Sequence, residues 1–177
     1  MLTLKRLVLA AIVIAVGAGV ALAPLPLHDR TRIANSIVIA RPPDAVFAYV
    51  TTPANWPNWH PSSLAVTGAA DHSLVPGEQV TEDFIVAGRT GRVVWTALKR
   101  DAPRQWIIEG DVDGRDAGVI TYTLTPVAEG TRFERKFIYG SPNLLFAVLN
   151  RISLRAHVES ESTQAVQNLK RVLEASH

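Results

Sequence analysis

"SPNLLFAVLNRISLRAHVESESTQAVQNLKRVLE", residues 141–174, is where the apolar pattern of the chain changes its period. Upstream, apolar and polar side chains alternate. From Ser141 the apolar ones recur every three or four positions and continue to Glu174. Ser141 can cap a helix, Pro142 fits its first position, and Lys170 and Arg171 stand near the negative end of the dipole. The spacing predicts a single helix of roughly 30 residues. Val148, Ile152, Arg155, Glu159, Ser162, Val166, Leu169 and Leu173 form one stripe along it.

Before this helix come six extended runs: "SLAVTG", "EQVTEDFIVAG", "GRVVWTALKR", "RQWIIEGDV", "GVITYTLTP" and "TRFERKFIY". Gly, Pro and Asp clusters separate them, as expected of an antiparallel meander joined by hairpin turns. Earlier still, "RIANSIVIA" is rich in β-branched residues and reads as a strand. Pro42-Pro43-Asp44 then opens a short helix, about Pro43 to Thr51, with proline in the first turn and an acid facing the dipole. The order defines an α+β domain. One face of its sheet must be covered, and the terminal helix is the only large element available to cover it.

Composition limits what such a domain can do. The chain has 177 residues, enough for one well-buried domain. Its formal charge of +2 resides in Lys5 and Arg6, because setting them aside leaves 16 basic side chains against 16 acidic. A neutral domain offers no electrostatic footprint for nucleic acid. With no cysteine there is no disulfide, thiolate metal site or cysteine nucleophile. The five histidines are scattered, with no paired zinc spacing, so neither a metal nor a cofactor is expected. "DVDGRDAG" resembles a calcium loop, but its glycine is misplaced and no closing glutamate follows, so it reads as a hairpin.

The N-terminus, "MLTLKRLVLAAIVIAVGAGVALAPLPL", has a basic start followed by an uncharged apolar run from Leu7 to Ala23, near the lower limit for spanning a bilayer. Residues 1–24 are expected to be a transmembrane anchor or signal segment, 25–31 a linker and 32–177 the domain. Basic residues stay on the cytoplasmic side, which sends the domain to the extracytoplasmic side, the periplasm or cell exterior. Ala21-Leu22-Ala23 looks like a peptidase site, but Pro24 after the cut favours retention as an anchor. Secretion after cleavage is the alternative.

"ARPPDAVFAYVTTPANWPNWHP" at 40–61, "YTLTPVAEGTRFERKF" at 122–137 and the closing "AVQNLKRVLE" together resemble the START-like (Bet v 1-like) superfamily, the polyketide cyclase/dehydrase and lipid-transport proteins. The resemblance implies a helix-grip fold: a curved antiparallel sheet wrapped around a long C-terminal helix. Between them it implies an apolar cavity for a hydrophobic small molecule or lipid. It also places Trp56 and Trp59 where the short helices join the sheet, at one end of the cavity, either as corner packing or, for Trp59, also against ligand.

Strand alternation suggests which side chains point inward. In "TRFERKFIY", Arg132, Glu134 and Lys136 share the solvated face, so Phe133, Arg135, Phe137 and Tyr139 face the helix. In "EQVTEDFIVAG" the more apolar set holds Val80, Glu82, Phe84 and Val86. Arg135 and Glu82 are therefore inward charges, and Arg155 and Glu159 interrupt the helical stripe one turn apart. Inward charges are costly unless paired. They make either a polar pole that orients a ligand's carboxylate, hydroxyl or carbonyl, or a group at the cavity mouth, or a strand register displaced by one. The candidate ligand-binding charges are Glu82, Arg135, Arg155 and Glu159. The candidate aromatics are Trp59, Phe84, Trp95 and Trp106, with Tyr122, Phe133 and Phe137. The expected function is binding or transport of a hydrophobic molecule at the outer face of the cytoplasmic membrane. The alternative is an enzyme of the cyclase, aromatase or dehydratase type using Glu82 or Glu159 as general acid or base.

Overall fold

A computed structural model of the chain describes residues 2–24 and 30–175. Strand β1 (Arg30–Ile39) is followed by helix α2 (Pro43–Thr51), the 3-10 turn Pro53–Asn58, and six strands in a meander. These are β2 (Ser63–Gly68), β3 (Gln79–Val86), β4 (Arg89–Asp101), β5 (Gln105–Val112), β6 (Arg115–Val127) and β7 (Gly130–Gly140). All neighbours are antiparallel, in the order β1-β7-β6-β5-β4-β3-β2, so β1 returns to pair with the last strand. Arg30 lies opposite Gly140, and Ile39 opposite Thr131. The sheet bends where its register shifts, at Ser63/Ala65, Ala97/Lys99 and Gly110/Asp111, because each bulge adds local twist. Gly110 also makes room for an indole: a Cβ there would stand 2.8 Å from the Trp95 ring.

Helix α4 (Arg155–Ala175) closes the inner face with Ser162, Ala165, Val166, Leu169 and Leu173, all buried. It lies along β1. Lys170 Nζ donates to the Val38 carbonyl at 2.7 Å, and Arg41 Nε to the Leu173 carbonyl at 2.8 Å. The latter satisfies one of the carbonyls that every helix end leaves without an internal partner. Against the other end of the sheet, α2 buries Val46, Phe47 and Val50. The 3-10 turn buries Trp56, whose indole donates to the Val50 carbonyl at 3.0 Å. A curved antiparallel seven-stranded sheet with a long C-terminal helix is the helix-grip architecture expected.

Four expectations need correction. The terminal helix is not a uniform 30-residue element: α3 (Leu144–Leu149) passes through a π-helical turn, Asn150–Leu154, into α4. In that turn the Arg155 N–H bonds to the Asn150 carbonyl, one residue beyond α spacing. The cap is Asn143, whose side chain accepts from Phe146 N, and not Ser141. The sheet begins at Arg30, two residues before the expected start; the expected linker lies mostly outside the described residues.

The fourth correction concerns the N-terminus. Leu2–Leu22 is helical (α1). Among the described residues, however, no helix is long and apolar enough to cross a membrane. The uncharged run from Leu7 to Leu22 extends only about 24 Å as a helix, against a hydrocarbon core of about 30 Å.

Candidate functional site

The inner face is a wall of rings. Trp106 on β5 stacks with Tyr122 on β6 at 5.5 Å between centroids, and Tyr122 meets Phe133 on β7 at 5.1 Å. Trp56 and Trp59 approach this wall edge-on from the 3-10 turn, each with its centroid 6.2 Å from its ring partner, Trp106 and Tyr122 respectively. Most of the polar atoms in the wall are satisfied locally. Trp106 Nε1 donates to the Leu74 carbonyl at 3.2 Å, and Trp95 Nε1 donates to Glu82 Oε2 at 2.6 Å.

Two charges lie within it, both pointing inward as the strand alternation predicts. Glu82 and Arg135 are each less than a tenth exposed. Burial pushes the Glu82 carboxyl up; hydrogen bonding from Ser63 and Trp95 and the charge of Arg135 pull the other way. Ser63 Oγ lies close enough to favour the carboxylate without completing a well-formed hydrogen bond. The two charges stand on β3 and β7, at opposite sides of the sheet, so only its curvature lets them sense one another. Arg135 donates through one terminal nitrogen to Ser162 Oγ on α4 at 2.9 Å, and Ser162 in turn donates to Asn35 on β1. Its guanidinium also sits 5.7 Å from the Phe137 ring. Burial pushes Tyr122 up to about 12, with Glu82 adding to the shift and Arg135 opposing it, so its phenol stays protonated.

Among the buried polar atoms without a partner are three N–H donors, Trp59 Nε1, Arg135 Nε and His60 Nε2, and the Trp59 ring packs against both Tyr122 and His60. For His60 the tautomer follows from its other nitrogen. Nδ1 accepts from Ser62 N at 3.3 Å, so in the neutral ring Nε2 carries the hydrogen. The ring stays neutral, since burial and then the charge of Arg135 hold its pKa well below the usual histidine value. A cluster of orphaned donors in an apolar interior is costly alone and complementary to a molecule bringing acceptors.

The predicted residues divide accordingly. Trp59, Trp95, Trp106, Tyr122, Phe133, Glu82 and Arg135 are brought together inside the sheet, with Phe84 and Phe137 half-buried at its margin. Arg155 and Glu159 are not. Both are exposed; above Ser162 it is the half-buried Val158 and Leu154 and the buried Asn150 that turn toward the protein. Arg155 and Glu159 lie in α4, after the π turn: at α spacing Glu159 falls about 60° off the Ser162–Leu173 line, and Arg155 belongs to the stretch Arg151–His157 in which no side chain is buried, so these two charges leave the polar pole. Two of its members escaped the sequence reading. His60 gave no signal beyond its place between Trp59 and Pro61, and Ser162 was read only as a small member of the stripe. Among the described residues no group of His, Cys, Asp or Glu is placed to hold a metal ion.

A curved sheet gripping a helix around a ringed interior with a few convergent polar groups is the frame of a small-molecule binding domain. The chain belongs to the polyketide cyclase/dehydrase and lipid transport family, whose model matches residues 30–174. No curated protein matches it. Among solved structures, a Rhodobacter sphaeroides protein is 22% identical, covering 83% of this chain and 95% of its own, with a TM-score of 0.63. A Thermus thermophilus protein is 16% identical over 83% of this chain and all of its own, with a TM-score of 0.68. DynU16, from the dynemicin biosynthetic locus, is 17% identical over 81% of this chain and 47% of its own, with a TM-score of 0.61. At these identities the likeness is one of fold.

Proposed function

We propose that the protein binds a hydrophobic small molecule or lipid between the sheet and α4, with an oxygen acceptor on the ligand facing Trp59, His60 and Arg135. The observation that carries this is the set of three buried donors without acceptors, set into an aromatic wall. We place this binding at the outer face of the cytoplasmic membrane, held there by α1. Its apolar side chains are exposed on every face, among them Leu7, Ile12, Val13, Ile14 and Val20. A helix apolar all round belongs inside protein or lipid. Native mass spectrometry of the full chain released from detergent, with extraction of what it carries, tests the binding. An apolar molecule with a carbonyl, carboxyl or hydroxyl head is the expected cargo. An empty chain whose tryptophan emission is unmoved by long-chain acids, alcohols and ketones overturns it.

Glu82 supports a second reading, a cyclase- or dehydratase-type enzyme. A buried carboxyl whose pKa is pushed up can donate a proton near neutral pH. Its hydrogen-bond partner is an indole, and no base stands paired with it among the described residues, which is why binding is the better supported function. In an enzyme, Glu82→Gln would abolish turnover by about 100-fold or more while binding persists.

A further inference from the structure

The polar interior accounts for the buried charges but leaves one part of the surface unexplained. Leu144, Leu145, Val148, Leu149 and Ile152, in α3 and the π turn, are 43% to 74% exposed, and none of the α3 side chains is buried. These residues stand in a stretch, Leu144 to Val158, that contains no acid; its charges are Arg151 and Arg155, both exposed. An apolar surface of this length with only basic residues on its flank has the composition of a helix at a lipid–water boundary.

Position in the fold says what lies beside it. α3 follows Gly140, the residue opposite Arg30, where β1 starts. Between Leu22, the end of α1, and Arg30 the backbone can reach at most about 28 Å, so α1 must leave the domain at the end where α3 sits. The two helices are in fact neighbours. One end of the sheet thus carries both exposed apolar helices, and the opposite end carries neither.

We propose that α3 and the π turn form a second membrane contact, lying in the interface of the bilayer that α1 enters, with Arg151 and Arg155 toward anionic headgroups. The proposal rests on the membrane location put forward for α1. It goes further in orienting the domain: the end holding Arg30 and Gly140 faces lipid, and the turn between β6 and β7 faces water. A second copy of the chain, or α1 folded back alone, would be less suited to the patch, since neither needs the basic flank.

The chain has no cysteine, so single labels are clean. Val148→Cys, Ile152→Cys and, in the β6–β7 turn, Ala128→Cys would each carry an environment-sensitive nitrobenzoxadiazole dye on the full chain. Vesicles would contain phosphatidylcholine and phosphatidylglycerol, with and without nitroxide-bearing lipid. The expected result is blue-shifted emission at 148 and 152, quenched several-fold by the nitroxide lipid and shielded from aqueous iodide, with neither effect at 128. Three results overturn the proposal. Labels at 148 and 152 that behave like the one at 128 refute the contact while leaving membrane attachment intact. Labels shielded from iodide equally without vesicles show a protein covering. A chain that fails to float with vesicles at all refutes the membrane location itself, while ligand binding, measured separately, is untouched.

Discussion

The indole N–H of Trp95 on β4 donates to the Glu82 carboxylate on neighbouring β3 at 2.6 Å, within the apolar face of the sheet. The two are diagonal neighbours, since Trp95 lies opposite Val80 and Glu82 opposite Val93. A buried carboxyl whose one well-formed hydrogen bond comes from an indole is a local vulnerability that substitution exposes.

Trp95→Phe keeps the ring and removes the donor. The unpartnered carboxyl is expected to cost about 1–3 kcal/mol in urea unfolding, and adding Glu82→Leu should recover much of it, because replacing both partners removes the orphan. If the double variant is as unstable as the sum of the two single ones, the pair is not coupled.

Glu82 and His60 set opposite limbs of the stability–pH curve. The folded pKa of Glu82 lies above its unfolded value. The folded chain therefore holds that proton more tightly, and stability falls as pH rises through the raised pKa. His60 is depressed by folding. Its contribution is complete above about pH 6.5 and is lost as pH falls below that. Glu82→Gln should flatten the loss on raising pH, and His60→Gln the loss on lowering it. Urea midpoints measured from about pH 5 to about pH 8 should show the two changes with opposite sign.

Trp59→Phe is expected to leave stability unchanged, or raise it by about 1 kcal/mol, by deleting an unsatisfied donor. It should weaken ligand binding at the same time. Trp59→Ala, at a fully buried ring, should cost about 3–5 kcal/mol, and Trp56→Ala a similar amount. Calorimetry of the free chains, followed by titration with the extracted ligand, separates the two effects. Unchanged affinity in Trp59→Phe would remove the indole from the site.

Glu159→Gln and Arg155→Gln should each shift stability by about 0.5 kcal/mol or less, since both side chains are in water. A loss several times larger, read from thermal unfolding, would place them inside.

How much of this was legible before folding depends on how local the signal is. The strands and α2 could be read within one to three residues, because alternation and turn residues act over a few positions. The inward set Phe133, Arg135, Phe137 and Tyr139 followed directly from one solvated triplet on the same strand. Glu82 followed from its neighbours Val80 and Phe84. The helix was harder. Its lower half, Ser162 to Leu173, kept α spacing and was read correctly, but the even stripe runs on through Glu159 and Arg155, where α4 is exposed, and across an extra residue at Asn150–Leu154 that nothing in the pattern announces. His60 was invisible for another reason. What gives it a role is Arg135, which is distant in sequence and reaches it with its charge only through the curvature of the sheet.

That extra residue has a mechanical meaning. Two cogs on one shaft normally turn together; a π turn lets their teeth be cut separately. The lower cog is locked to β1 by Lys170 and by Ser162 reaching Asn35. At the turn, Asn150 pins the shaft, accepting from Tyr139 Oη at 2.8 Å and donating to Thr31 Oγ1 at 2.7 Å. Deleting one residue below that pin would restore α spacing and swing the upper cog by about 100°. That swing would carry Asn150 off Tyr139 and Thr31 as well, so the extra residue is what lets both cogs mesh with the sheet at once.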